Sequence, residues 1–357
     1  MAKSKGFWEH LLSLSHFFVD FLCTALLTGC VKSADPTGVL TLAIIYNGLA
    51  FAFQLPLGAL GDLLDQRRVF ASVGCLLVAL GSFLSNPFAM CVSIGLGNAL
   101  FHVGGGREAL QNSGGKAAAV GRFVAPGAVG IFLGPRLSKI LWLRRFCLPG
   151  ILLILVVLLL RQGSDLRKSV VLKQPFSLPR LAGILGCMFV TVFLRSYMGT
   201  VLNYPFLAHH FGALCFTLCI FLGKFFGGSL ADRFGALPFS AAAQAICVIL
   251  FTFSPKVPWL AFPGIFLFNT TMAITAIQLY HSLPQLPGTM FGLTTLALFL
   301  GVLPRLLGLQ NIFFSWWGLG LLSIVSAISL LGGLVLEKGG QKDAGLSRSV
   351  SGADSGN

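Results

Sequence analysis

Charge is scarce in this sequence. Only 10% of its 357 residues are Asp, Glu, Lys or Arg, against roughly 25% in ordinary soluble domains. Acidic residues are the scarcer sign, 11 against 25 Lys and Arg. A chain this long can bury a large soluble core, but the polar cover that a soluble surface needs is missing. Catalytic signatures are missing too. There is no His-Glu-x-x-His, no Gly-x-Ser-x-Gly and no Gly-x-x-x-x-Gly-Lys-Ser/Thr, which argues against a zinc peptidase, a familiar hydrolase and an ATP-driven pump, and so against an enzyme. The nine cysteines are scattered through apolar blocks. Cys215 and Cys219 lie one helical turn apart, but no Cys or His pair completes a zinc site. No metal and no cofactor are expected. Strand-type alternation is also absent.

What is present is apolar sequence in long blocks, with 55% hydrophobic residues overall. Blocks of about 18 residues or more without charge are membrane spans. Spans are expected at 7–29, 38–61, 69–85, 88–108, 118–138, 144–161, 181–204, 212–232, 236–254, 258–280, 288–309 and 313–336. Lipid offers backbone groups no partner, so each span is expected to be a helix. The first block is too long for a cleaved signal and carries Glu9, His16 and Asp20. The basic stretch 162–180 divides the chain into bundles 1–161 and 181–337, and 338–357 reads as a disordered cytoplasmic tail. The fold class expected is therefore all-α, with about twelve transmembrane helices in two six-helix bundles.

The net charge of +14 sits in the gaps between blocks, as loop charge does, so nucleic acid is not an expected partner. Most of the Lys and Arg fall on one side if both termini are cytoplasmic, with Lys224 and Arg233 counted there. The cluster Arg136, Lys139, Arg144 and Arg145 is the exception. The five Trp, at 8, 142, 259, 316 and 317, all fall near span ends, where interfacial aromatics belong.

Two gaps repeat a pattern. The first runs Gly58-Ala-Leu-Gly-Asp62 and on to Arg67 and Arg68; the second runs Gly228-Ser-Leu-Ala-Asp232-Arg233-Phe-Gly235. Each follows the second span of its half, and the copies lie close to half the chain apart. Repeated halves are a common transporter construction. Glycine lets a helix end approach a neighbour closely, and the carboxylate can meet a helix N-terminus or an arginine, holding that face closed.

Polar groups at membrane depth are expensive and mark function by default. Span 1 sets Glu9, Ser13, His16, Asp20 and Thr24 on one face. His16 and Asp20 are one turn apart near mid-span, which suits either a proton-coupling site or a static pair joining helices. Span 4 offers Asn98, His102 and Arg107 to a cavity, although Arg107, nearer the helix end with Glu108 beside it, suits an interfacial gate or pair as well. Span 7 carries Arg195, which must face a cavity or a carboxylate such as Asp20. Span 10 offers Asn269 to the cavity, in a glycosylation sequon whose depth argues against its use, and span 2 carries Asn47 and Gln54 on one face, with Gln54 a further cavity candidate. Spans 1, 4, 7 and 10 are thus polar at depth, while spans 3, 6, 9 and 12 are almost wholly apolar.

The paired loops resemble the signature of the major facilitator superfamily, approximately Gly-x-x-x-Asp-Arg-x-Gly-Arg-Arg. The first copy has Leu63 and Asp65 where Arg and Gly are expected, and the second lacks the closing basic pair. In that superfamily the first helix of each three-helix unit lines the cavity and the third faces lipid. Gly121, Gly130, Gly134 and Pro135 in span 5 resemble the antiporter motif of drug–proton exchangers, which favours antiport, although ordinary close packing needs the same small residues. Ser15-His16 with Asp20, Phe101-His102 with Arg107, and Arg195 resemble the fosmidomycin-resistance branch, with Val103-Gly104 where that branch has Pro-Glu. The resemblance implies a cell-membrane (inner or plasma membrane) drug–proton antiporter, a monomer, acting by proton-coupled efflux of a small amphipathic or anionic compound and so conferring drug resistance. Metabolite uptake by symport or facilitated diffusion is the alternative. Protons, a small-molecule substrate and the lipid bilayer are the expected partners.

Overall fold

Every apolar block folds as helix. The computed structural model describes residues 2–31, 38–64, 67–161, 176–309 and 313–353. Twelve helices follow in chain order among the described residues: α1 (Ala2–Leu26), α2 (Val39–Leu64), α3 (Arg67–Gly81), α4 (Pro87–Asn112), α5 (Ala117–Leu137), α6 (Leu143–Arg161), α7 (Leu178–Val201), α8 (His210–Phe234), α9 (Ala236–Phe253), α10 (Pro258–Ser282), α11 (Pro287–Leu306) and α12 (Trp316–Ala353). Eleven contain a stretch long and apolar enough to cross a membrane; α3 has the shorter apolar run Val69–Gly81. Its expected extension to residue 85 is instead a turn and a short connection to α4, whose start is set by the Asn86 side chain accepting from Ala89 N at 3.0 Å, with Pro87 in the first turn. The last helix passes the expected tail boundary and continues to Ala353. Hydropathy locates apolar cover, and a helix needs none to continue. Of the stretch 162–180, residues 162–175 lie outside the described residues, as do Asp65 and the side chains of Arg67 and Arg68.

The packing repeats with an interval of six helices. In the first half α1 packs on α5, α3 on α4 and α3 on α6; in the second, α7 packs on α11, α9 on α10 and α9 on α12. The two main contacts between halves, α2 with α11 and α5 with α8, are related by the same interval. Large exposed apolar side chains cover the outer helices, such as Ile154 and Val157 on α6, Ile246 and Ile249 on α9, and Ile324 and Ile328 on α12. Buried polar side chains gather instead on α1, α4, α7 and α10. An apolar outside with polar groups inside is the arrangement that lipid imposes on a multi-span helical membrane protein. Four of the Trp are exposed, whereas Trp8 is buried beside Glu108 and Phe123.

Two helices are irregular at cavity depth. In α2 a π-helical stretch, Gly48–Ala52, interrupts the α-helix, and α10 breaks at Thr271 between Ala261–Thr270 and Met272–Ser282. Such breaks in a buried span re-aim side chains and free backbone groups toward a cavity.

Candidate functional site

The two Gly-x-Leu-x-Asp segments close one end of the molecule. Asp62, at the end of α2, accepts from Gly288 N at 2.9 Å, Thr289 N at 2.8 Å and the Thr289 hydroxyl at 2.8 Å, all in the first turn of α11. Asp232, at the end of α8, accepts from Ala117 N and Ala118 N, each at 2.9 Å, in the first turn of α5. Each carboxylate thus caps a helix belonging to the other half, where unpaired N–H groups and the helix dipole favour negative charge. The glycines explain the approach: a Cβ on Gly58 would run into the Gly288 carbonyl, and one on Gly228 into that of Ala117. Gly235, at φ 86°, turns the chain from α8 into α9, a conformation that favours glycine.

The basic residue that the first copy lacks at Leu63 comes from α4. Arg107 Nε lies 3.2 Å from Asp62 Oδ1, and its NH1 donates to Gly61 O at 2.6 Å. Arg107 therefore belongs to the closed end and does not line the cavity, a correction to its expected place. It lies five residues beyond His102, about 7.5 Å along the helix. Glu108 accepts from Asn112. Arg233 stands over the Phe234 ring at 5.4 Å, while Asp232 is taken up by α5.

Above this closed end is a cavity of about 270 Å³ between the halves. On one wall, α1 and α4 bring together the residues singled out by their depth. Asp20 Oδ2 lies 3.2 Å from His16 Nε2, and Asp20 Oδ1 accepts from Asn98 Nδ2 at 3.1 Å. His102 Nε2 lies 2.9 Å from His16 Nε2 and 3.8 Å from Asp20 Oδ1. The other ring nitrogens are occupied. His16 Nδ1 faces Phe123 O at 2.8 Å and His102 Nδ1 faces Asn98 O at 2.9 Å. A carbonyl only accepts, so both Nδ1 atoms carry hydrogen. Two bare Nε2 lone pairs at 2.9 Å repel, so the contact calls for one proton between the rings. With such a proton the pair would carry one positive charge beside one carboxylate.

Glycines on α5 permit this arrangement. A Cβ at Gly127 would strike His16 Nε2 and Asp20 Oδ2, and one at Gly130 the Phe17 carbonyl. Gly134 meets Thr24 and Ala25 of α1, and Gly121 meets the Lys224 carbonyl of α8. The three glycines of the span-5 pattern thus each lie against a neighbouring helix. Pro135 lies inside the same helix near its end.

The opposite wall is cationic. Arg195, only 6% exposed, donates NH1 to Thr271 Oγ1 at 3.3 Å and NH2 to Thr275 Oγ1 at 2.9 Å, while its Nε has no hydrogen-bond partner. The helix break at Thr271 places one of these hydroxyls. The sequence allows Arg195 a carboxylate partner; among the described residues no ion pair reaches it. Asn269 lines the same cavity, its Nδ2 donating to Ile265 O.

Lys224 was expected at the cytoplasmic side and is found lining the cavity. It lies ten residues before the end of α8, about 15 Å from the closed end. Its place inside an apolar span was the available signal. Two other expectations are corrected. Asn98 is fully buried behind Asp20, off the cavity surface, and Gln54 is fully buried with its Nε2 on Ala50 O. The π-helical stretch between Asn47 and Gln54 breaks the α-helical register that would have kept them on one face, and Phe51 lines the cavity.

His16, Asp20 and His102 also present ligand atoms within 4.8 Å of one another. The facing cations and the 2.9 Å approach of the rings suit a shared proton better than a metal ion, since imidazoles on tetrahedral zinc stand about 3.3 Å apart. Two residues of the basic cluster at the opposite end have local partners. Arg136 NH1 donates to Phe132 O at 2.9 Å in the last turn of α5, and Arg145 NH1 donates to Ser82 O at 2.6 Å just past α3. Cations at helix C-termini satisfy spare carbonyls there.

No protein-family model matches the sequence, and no curated protein matches it. Solved structures do match in fold. The E. coli fucose:proton symporter FucP, in a variant form, shares 16% identity over 92% of this chain and 98% of that one, with a TM-score of 0.65. A second structure, of the major facilitator superfamily transporter FucP in the outward conformation, also shares 16% identity over 92% and 98% of the two chains, with a TM-score of 0.67. The likeness spans nearly the whole of both chains and, with the six-helix interval and the paired loops, makes this the major facilitator fold.

Proposed function

We propose that the chain is a secondary transporter working by alternating access, coupled to protons, with a small anionic or amphipathic substrate. One observation carries this reading: a buried carboxylate–imidazole network and the cations Arg195 and Lys224 line the same cavity between two halves that capped helix termini join at one end. Rocking the halves about that cavity exposes it to either side. Asp20 with His16 and His102 would hold the proton; Arg195 and Asn269 would face the substrate. The positive-inside bias of the loops supports a cytoplasmic closed end and cytoplasmic termini.

Alternating access is symmetric with respect to direction. The same site serves export in exchange for protons, which the resemblance of α1, α4 and α5 implies, or uptake together with protons. The test uses the full-length protein in proteoliposomes under an imposed pH gradient, with a panel of radiolabelled anions including fosmidomycin. Asp20→Asn is expected to abolish proton-driven flux of a compound that the wild type moves, while inserting and melting normally. Undiminished proton-driven flux in that variant removes Asp20 from the mechanism.

A further inference from the structure

Arg195 is a buried cation and Lys224 a partly buried one at the same cavity, and among the described residues neither has an ion pair. Arg195 is held only by neutral hydroxyls, with one N–H unpartnered. Lys224 lies within electrostatic reach of both Asp20 and Arg195. Burying unpaired charge is costly, and a ligand of opposite charge removes the cost. We infer that Arg195 and Lys224 together dock the anionic group of a substrate, and that this anion and the proton of the His16–His102–Asp20 network occupy the cavity together, so that coupling is cotransport. The inference rests on the reading of that network as the proton site.

The sign of the coupling follows from the charges facing the cavity. Asp20 contributes one negative charge, and Arg195 and Lys224 one positive charge each. Around the network, Cys23 on α1, Tyr46 on α2, Cys75 on α3 and Cys91 on α4 are thiols and a phenol, neutral near pH 7. The α5 face contributes the Phe123 carbonyl and Gly127. The cavity is therefore positive without the extra proton and more positive with it. A proton bound between the rings raises affinity for an anion, and by linkage the anion raises affinity for the proton by the same factor. Exchange of an anion against protons needs the opposite sign, because proton and substrate must then displace each other. Direct competition suits a cation, which this cavity repels.

The test measures binding to the full-length protein in detergent with benzoate and methanesulfonate as probes, between about pH 5.5 and about pH 8, where a simple carboxylate keeps its charge. Affinity is expected to be roughly tenfold or more higher at the lower pH, within the usual range of coupling between sites. Binding in weak buffer is expected to take up protons. Lys224→Gln and Arg195→Gln should each weaken binding by at least about tenfold, with melting curves to show that the variants fold. Asp20→Asn should keep anion binding and lose its pH dependence. Proton release on binding, or tighter binding at the higher pH, overturns co-binding while leaving the proton site standing. Unchanged affinity in Lys224→Gln, or no binding of either probe at either pH, overturns the docking pair. If Asp20→Asn keeps both the pH dependence and proton-driven flux, the proton-site reading is what fails.

Discussion

His102 and Glu9 are both ionisable side chains on the polar faces of inner helices, yet their settings differ. His102 is 6% exposed and shares a 2.9 Å contact with His16, while Glu9 pairs with Arg122 at 3.1 Å where both side chains are partly open to solvent. Replacing His102 by Gln removes the acceptor for the shared proton. Proton-driven flux is expected to fall at least about tenfold, a loss of roughly 1.4 kcal/mol in the coupled step, with its pH optimum displaced. Glu9→Gln loses a screened pair worth at most about 1 kcal/mol and should leave flux within about twofold of wild type. Both are read in the same proteoliposome assay, and equal effects would mean that depth in the bundle does not separate function from surface charge. At this scale the sequence was informative wherever an ionisable group interrupts an apolar run, as at His16, Asp20, His102 and Arg195. Lys224 was placed on the wrong side because a lysine stem can carry its charge several ångströms toward either end of a helix, so its depth depends on the packing of α8.

Between α1 and α5 the contact depends on glycine. A Cβ at Gly130 would enter the backbone of α1, whereas around Gly150 on α6 there is open space within 4 Å. Gly130→Val should force the two helices apart and destabilise the protein by about 2 kcal/mol or more, as overpacking of a tight interior does. Gly150→Ala should shift the melting midpoint little, or raise it through helix propensity. Thermal melting in detergent checks both, and a Gly130→Val variant as stable as wild type would mean that the α1–α5 spacing is loose. The glycine spacing of span 5 was legible in the sequence. Whether it served antiport or close approach was not, because both need small residues at the same positions, and only the facing atoms of α1 and α8 tell what the glycines meet. The π-helical stretch of α2 was hidden for a similar reason: hydropathy is insensitive to one extra residue in a turn, yet that residue turned Gln54 away from the cavity.

Across the whole molecule, Asp62 and Asp232 perform the same task in the two halves with unequal support. Asp62 is buried, takes three hydrogen bonds and faces Arg107, while Asp232 is exposed and takes two. A carboxylate on a helix N-terminus contributes about 0.3–1 kcal/mol when exposed and up to about 2 kcal/mol when partly buried. Asp62→Asn should therefore open the closed end more than Asp232→Asn, and the double variant should open it most. Thiol labelling of a cysteine introduced at Ser229, which lines a hollow beside Asp232 at this end, would report the opening. Labelling rates unaltered by all three variants would show that the caps do not latch the halves.

The sequence by itself determined the class of the molecule. Long apolar blocks without charge leave membrane helices as the only form that satisfies the backbone, and two equivalent Gly-x-Leu-x-Asp loops imply a repeated half. It also marked most of the ionisable groups at depth, since each is too costly to be placed there by chance. The tertiary structure alone decided which of them meet. Asp20 joins two histidines instead of Arg195, Arg107 leaves the cavity for Asp62, and Lys224 enters it. Periodicity places a residue on the face of its own helix, whereas the partner across a gap of about 3 Å is set by how a second helix is packed, tilted and broken against it.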